Sequence, residues 1–151
     1  AVAVTDAVDG ALSLLGGAIR SENISLEWIR PASDLRVWAD SVRFQQVMIN
    51  LLRNALDAMR AVAERRLSIV VSNTALTVEI AVKDSGVGIT DDAKTHMFDP
   101  FFTTKPTGEG LGLGLSISEG IVRDFGGQLS AANHPDGGAV FTLTLRRTEA
   151  A

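Results

Sequence analysis

The sequence predicts an α+β fold, a mixed sheet of about five strands with its helices gathered on one face. Apolar positions hold a 3.6-residue period through residues 44–59, and apolar and polar positions alternate from Leu76 to Val82. Strand-like segments also follow one another in runs rather than alternating one for one with helices, which is the pattern of α+β rather than parallel α/β proteins.

Taken in order, Val4, Val8, Leu12, Leu15 and Ile19 recur at helical spacing, so the first twenty residues read as an amphipathic helix. Ile24 to Ile29 reads as a strand with Ile24, Leu26 and Trp28 on one face, and a shorter extended piece runs from Leu35 to Trp38. Asp40 or Ser41 is placed to cap the next helix. In that helix Phe44, Val47, Met48, Leu51, Leu52, Ala55, Leu56 and Met59 form the apolar stripe, with Asn and Asp interleaved. Leu67 to Val71 and Leu76 to Val82 flank Ser72-Asn73-Thr74, an antiparallel hairpin. From Gly86 to about Gly112 regular periodicity disappears. A long irregular loop is expected there, and Phe98, Phe101 and Phe102 argue that it packs on the rest. A helix from about Leu113 to Phe125 is stopped by Gly126-Gly127. The last two strands, Gln128 to Ala132 and Ala139 to Arg146, flank the turn Asn133 to Gly138.

Bulk properties narrow the function classes. A chain of 151 residues with 46% hydrophobic content fits one domain with a core of ordinary size, and no internal repeat is visible. A net charge of −4 and scattered basic residues give no electrostatic footprint for nucleic acid. With no cysteine, thiol nucleophiles, disulfides and cysteine-ligated zinc are excluded, which fits a reducing compartment. Ala11 to Ile19 is too short and too glycine-rich to span a bilayer. The glycosylation sequon Asn23-Ile24-Ser25 lacks a secretory context and is set aside.

Three segments carry polar or glycine-rich chemistry. Asn50, Asn54 and Asp57 stand at i, i+4 and i+7 of the long helix and share one face. An amide oxygen and a carboxylate make a hard-oxygen set suited to Mg²⁺, although a solvated helix face has the same look. Asp84-Ser85-Gly86-Val87-Gly88 follows the alternating strand, so a carboxylate sits at a strand end with glycines where backbone must turn. It can accept from an adenine amino group or simply close a turn. The run Gly108, Gly110, Gly112, Gly114 enters a helix whose first N–H groups suit a phosphate chain, or acts as a hinge. It is neither a P-loop, since no Gly-Lys-Ser/Thr follows, nor a G-x-G-x-x-G fingerprint. His96 and His134 lack the partners of a triad or metal cluster and are taken as incidental.

In order and spacing these segments resemble the four boxes of histidine-kinase catalytic domains, in the superfamily shared with gyrase, Hsp90 and the mismatch-repair ATPases. Residues 44–58 resemble the N box and Asp84 to Ile89 the first glycine box. Residues 98–105 (Phe-Asp-Pro-Phe-Phe-Thr-Thr-Lys) resemble the F box and Gly110 to Ser116 the second glycine box. The likeness runs from about Leu12 to Leu145. It implies a two-layer α/β sandwich with ATP between sheet and helices under a long mobile lid. By box position, Asn54 would coordinate Mg²⁺, Asp84 would bind the adenine amine, and Lys105 would neutralise the γ-phosphate. Phe101 and Phe102 would anchor the lid. Further ATP contacts are implied for Asp57, Gly86, Gly88, Ile89, Thr104, Gly110, Leu111, Gly112, Leu113, Gly114 and Leu115. The glycine run is two residues longer than the commoner form. The F box and the Ser116-Ile117-Ser118 ending look most like kinases of nitrogen regulation, oxygen sensing and C4-dicarboxylate sensing, and most of all the last.

In the superfamily's hydrolases a glutamate one turn before the Mg-binding asparagine activates water, and the position here holds Asn50, whose amide cannot serve as a general base. The resemblance therefore implies phosphoryl transfer to a histidine on a separate dimerisation domain of the same protein, with a response regulator downstream. Neither histidine of this chain matches the acceptor motif. The expected setting is the cytoplasmic side of an inner-membrane sensor kinase, with this domain monomeric by itself. An ATP-hydrolysing or regulatory nucleotide-binding module, or a serine kinase of the anti-sigma type, would share the same boxes.

Overall fold

Asp40 starts the central helix by accepting the Arg43 N–H on its side chain at 2.9 Å, satisfying one of the free donors of the first turn. The helix, Ser41–Met59, buries all eight apolar positions of the stripe, from Phe44 to Met59. Each of the seven larger side chains, all but Ala55, contributes about 1.5–3 kcal/mol when fully buried, so this face organises the core.

A computed structural model describes residues 1–100 and 114–148. The elements in chain order are β1 (Val2–Ala3), α1 (Val4–Ser21), β2 (Ser25–Ile29), β3 (Arg36–Val37), α2 (Ser41–Met59) and β4 (Arg66–Asn73). They continue with β5 (Thr77–Asp84), α3 (Asp91–His96), α4 (Gly114–Asp124), β6 (Gln128–Asn133) and β7 (Ala139–Thr148). Among the described residues the strands form one seven-stranded sheet in the order β1-β3-β7-β5-β4-β2, with β6 also paired to β7. The β2–β4 pair is parallel and every other pair antiparallel, which makes the sheet mixed as expected.

Cross-strand register lines up the inward face. Ile69, Val82 and Phe141 are partners across β4, β5 and β7, as are Val71, Ile80 and Leu143. Apart from half-buried Val71 these residues are buried, and with the α2 stripe and the apolar positions of α1 and α4 they make one continuous cluster. The opposite face of β5 carries Thr77, Glu79 and Lys83, so the helices lie on one side. Helix α1 packs along α2, and α2 packs against α4.

Several details differ from the sequence expectation. Seven strands replace about five: β3 falls in the extended piece read at Leu35 to Trp38 and pairs with β7, and β1, two residues too short to show alternation, is held by its pairing to β3. The irregular segment after Gly86 contains α3, capped by the Thr90 side chain accepting from the Ala93 N–H at 3.1 Å. Leu76 belongs to the hairpin turn, where it is 78% exposed, because β4 continues through Asn73 and Thr74 closes the turn to Thr77. Among the described residues no helix is long and apolar enough to cross a membrane.

Candidate functional site

Asp84 ends β5 in the inward register row, opposite Leu67, and is 1% exposed. Its Oδ1 accepts the Gly86 N–H at 2.8 Å and the Ala139 N–H at 3.3 Å. Its Oδ2 is buried with no hydrogen-bond partner among the described residues. Burial pushes the carboxyl above its ordinary value of 3.8, against the smaller downward pull of the two backbone N–H groups. An orphaned buried acceptor costs about 1–3 kcal/mol, so this oxygen calls for a donor beyond the described residues.

The loop after Asp84 lies directly on α2. A Cβ on Gly86 would collide with the Ala58 carbonyl oxygen, and the Val87 N–H donates to that same oxygen at 3.2 Å. Glycine is required by this approach rather than by a turn. Ser85 anchors the strand end from the other side, its hydroxyl accepting the Arg66 N–H at 2.7 Å and donating to the Glu64 carbonyl at 2.8 Å.

The three polar residues of α2 are all half-buried, on the flank away from the apolar stripe. They have different partners. Asn50 donates from Nδ2 to Ser118 Oγ at 3.1 Å, and Ser118 is a fully buried polar side chain on α4. Asp57 forms an ion pair with Arg60 at 2.9 Å. Asn54 makes no side-chain hydrogen bond among the described residues, leaving its amide open between them. A second link joins the far ends of the two helices. Arg43 pairs with Asp124 at 2.8 Å, and its guanidinium lies 5.6 Å over the Phe125 ring. The helix that follows the glycine run is thereby held against the asparagine face.

Gly114 opens α4 and is exposed, while Leu115 is half-buried against the core. Phe101, Phe102, Thr104, Lys105, Gly108, Gly110, Leu111, Gly112 and Leu113 lie outside the described residues. The two histidines are engaged locally: His96 Nδ1 with Asp99 at 2.9 Å, and His134 Nδ1 accepting the Asp136 N–H at 3.1 Å.

Sequence reasoning did not single out the β6–β7 hairpin, which supplies three groups to this site. The Ala139 N–H holds Asp84 Oδ1. Asn133 accepts the Ile89 N–H at 2.7 Å and donates to the Ile89 carbonyl at 2.9 Å. Gly138, at φ 81°, lays its Cα against the Asp84 carbonyl, where a Cβ would collide. Gly138→Ala is accordingly expected to destabilise the domain by about 2–3 kcal/mol, from left-handed strain plus displacement of the Asp84 backbone. A urea midpoint within error of the parent, at equal m value, would refute this.

The chain matches the family model for "Histidine kinase-, DNA gyrase B-, and HSP90-like ATPase" over residues 39–149. It is 41% identical over 145 residues to the C4-dicarboxylate transport sensor protein DctB of Pseudomonas aeruginosa, covering 95% of this chain and 24% of that protein. It is 46% identical over 140 residues to the sensor protein FixL of Bradyrhizobium diazoefficiens, covering 90% and 26%. The chain thus spans about a quarter of these relatives. Its structure superposes on the catalytic domain of histidine kinase ThkA with a TM-score of 0.84 at 33% identity, covering 97% of this chain and 95% of that one. ThkA has also been solved in complex with the response regulator protein TrrA, where the TM-score is 0.82 at 32% identity over 97% of this chain and 41% of that one.

Proposed function

The chain belongs to the family of histidine kinase-, DNA gyrase B- and HSP90-like ATPases, as a catalytic domain of the histidine-kinase kind, and on that premise we propose that it binds Mg-ATP and donates the γ-phosphoryl group to a histidine on a separate dimerisation domain. The observation that carries the reading is Asp84, a buried carboxylate with one oxygen held by backbone and the other without a partner among the described residues. An adenine 6-amino group is a donor of the right kind for that oxygen. The close-packed backbone at Gly86, with Gly88 and Ile89 after it, gives the base a surface to lie on.

Asn54 is the open oxygen donor on the adjoining helix face, and it fits a magnesium ion that takes one or two protein ligands and keeps the rest from water and phosphate. Such an ion, when bound, neutralises and orients the phosphates. Asp57 stands one turn further on, steadied by Arg60. Gly114 and Leu115 at the start of α4 offer backbone to the phosphates, joined on this proposal by Thr104, Lys105, Gly110, Leu111, Gly112 and Leu113. Asn50 is bonded to Ser118 and cannot deprotonate a water, so nothing at its position promotes hydrolysis. The chemistry that remains is positioning and charge neutralisation for an acceptor brought from outside.

Residues 1–151 then act as one catalytic unit, monomeric by itself. Its acceptor domain belongs to the same sensor kinase, a C4-dicarboxylate sensor of the DctB type at the inner membrane. A response regulator takes the phosphoryl group next. Labelled phosphate from ATP is expected on an acceptor helix domain supplied in trans, as an acid-labile adduct, with little release of free phosphate when the acceptor is omitted. Steady hydrolysis without acceptor would point to an ATPase instead, and an acid-stable adduct to a serine kinase.

A further inference from the structure

Two segments meet at the adenine side of the site, the loop Gly86 to Ile89 and the β6–β7 hairpin, and they are far apart in sequence. The side-chain amide of Asn133 spans them. Its Oδ1 takes the Ile89 N–H at 2.7 Å and its Nδ2 gives to the Ile89 carbonyl at 2.9 Å. These are the two bonds that a neighbouring strand would make to one residue, supplied here by a side chain. The same oxygen lies 3.0 Å from the position a Cβ would take on Gly88, a residue at φ 80°. The amide therefore fixes the direction of the loop at Ile89 and leaves little room for a side chain at the left-handed residue before it. Asp84 is held from the same hairpin, through the Ala139 N–H six residues beyond Asn133. Loop and carboxylate are thus registered to each other through a common support.

We propose that Asn133 is a positioning residue for adenine recognition: its amide holds the Gly88–Ile89 backbone at the distance from Asp84 that admits a purine bearing a 6-amino group. The proposal rests on the Mg-ATP reading above and adds a residue that acts through the Ile89 backbone. Chemically, an amide is needed because a single group must both donate and accept in one plane. A carboxylate of the same size keeps the acceptor for the Ile89 N–H but sets a second acceptor against the Ile89 carbonyl. An alanine keeps neither bond, and the loop is then free to trade its bound geometry for solvent.

The test is calorimetric titration of the protein with Mg-ATP and Mg-GTP, in the parent, Asn133→Ala and Asn133→Asp. Each titration is run well below the unfolding midpoint of that variant, so that a loss of stability alone does not move the result. For Asn133→Ala, ATP affinity is expected to fall about 10-fold, from two lost hydrogen bonds, with GTP affinity little changed. The ATP:GTP preference should shrink by nearly the same factor. Asn133→Asp, which sets two acceptors against each other at the Ile89 carbonyl, should also lower the ATP:GTP preference, and it carries the test if the alanine variant does not fold. A preference equal to the parent's in the folded variants overturns the proposal even when their midpoints drop, since Asn133 would then be a stabiliser of the hairpin only. A parent without preference for ATP overturns the adenine reading of the site itself, an outcome separate from the first.

Discussion

Asp84→Asn is expected to weaken Mg-ATP binding by about 10- to 150-fold while leaving the domain at least as stable at pH 7. The first half follows from the loss of a hydrogen bond to a charged acceptor, about 1.5–3 kcal/mol. An asparagine can also turn a donor toward the adenine amine, which would replace attraction by repulsion. The second half follows from the raised titration of the carboxyl. A buried acid that titrates higher in the folded protein than in the unfolded chain binds the proton more readily when folded. Its contribution to stability therefore declines as pH rises from the ordinary 3.8 through the raised folded value, and at neutral pH the charge is a penalty. Removing the charge removes that penalty, while Oδ1 of an asparagine can still accept from Gly86 and Ala139. ATP binding should show the complementary trend in the parent, strengthening as the carboxyl ionises. Titration with ATP and GTP, together with thermal denaturation from pH 4 to pH 8, reads both halves. Unchanged ATP affinity would remove Asp84 from the adenine site, and a lower midpoint at pH 7 would contradict the assigned cost of its burial.

Asn54→Ala is expected to abolish most phosphotransfer, by about 100- to 1,000-fold, with only a few-fold loss of nucleotide affinity. Removing one group that stabilises charge at the reacting phosphate typically has an effect of that size on the chemical step. The adenine contacts proposed at Asp84 belong to a different element and would survive, so ground-state binding is expected to be largely kept. The asymmetry is the discriminating feature: a residue that merely supported the fold would lower both quantities together. Transfer to the acceptor domain in trans, measured at saturating Mg-ATP, tests it. A variant that transfers at the parent rate would leave Asn54 without a role at the metal.

The features legible in the sequence are those in which one residue type is forced by its own surroundings. The α2 stripe is visible because every core contact of the helix returns at a fixed interval, and Asp40 is visible as a cap because a short acceptor before an apolar run has little other use. Asp84 and Gly86 were legible because the carboxylate and the glycine that lets the loop touch Ala58 are two residues apart. Asn133, Gly138 and Ala139 were not, for a physical reason. Ala139 acts through its backbone N–H, which every non-proline residue possesses, and Gly138 through what it lacks at Asp84, 54 residues earlier in the numbering. A turn rich in Asn, Pro, Asp and Gly has the same composition whether it is idle or in contact with a site. Helix α3 could have been found from Thr90 followed by Asp91 and Asp92, a cap and two acids in the first turn, although six residues are too few to display a period. Strand β3 falls within the extended piece legible at Leu35 to Trp38, whereas β1 could not be found, since two residues carry no alternation and their place is set by pairing to β3.

Strand β7 has a consequence for how the molecule is made. It is the sole hydrogen-bonded link, among the described residues, between the pair β1-β3 and the group β5-β4-β2, and it also pairs with β6. Until residues 139–148 are in place, a growing chain holds two unconnected pieces of sheet with open edges, one of them carrying Asp84. The Ala139 N–H that orients this carboxylate arrives with the same strand. Long-range pairing of this kind forms late, after local helix contacts such as those of α1 with α2. Closure of the sheet and the setting of the Asp84 carboxylate therefore coincide in a single event, the docking of β7, and a chain that lacks this strand has no properly oriented carboxylate at the end of β5.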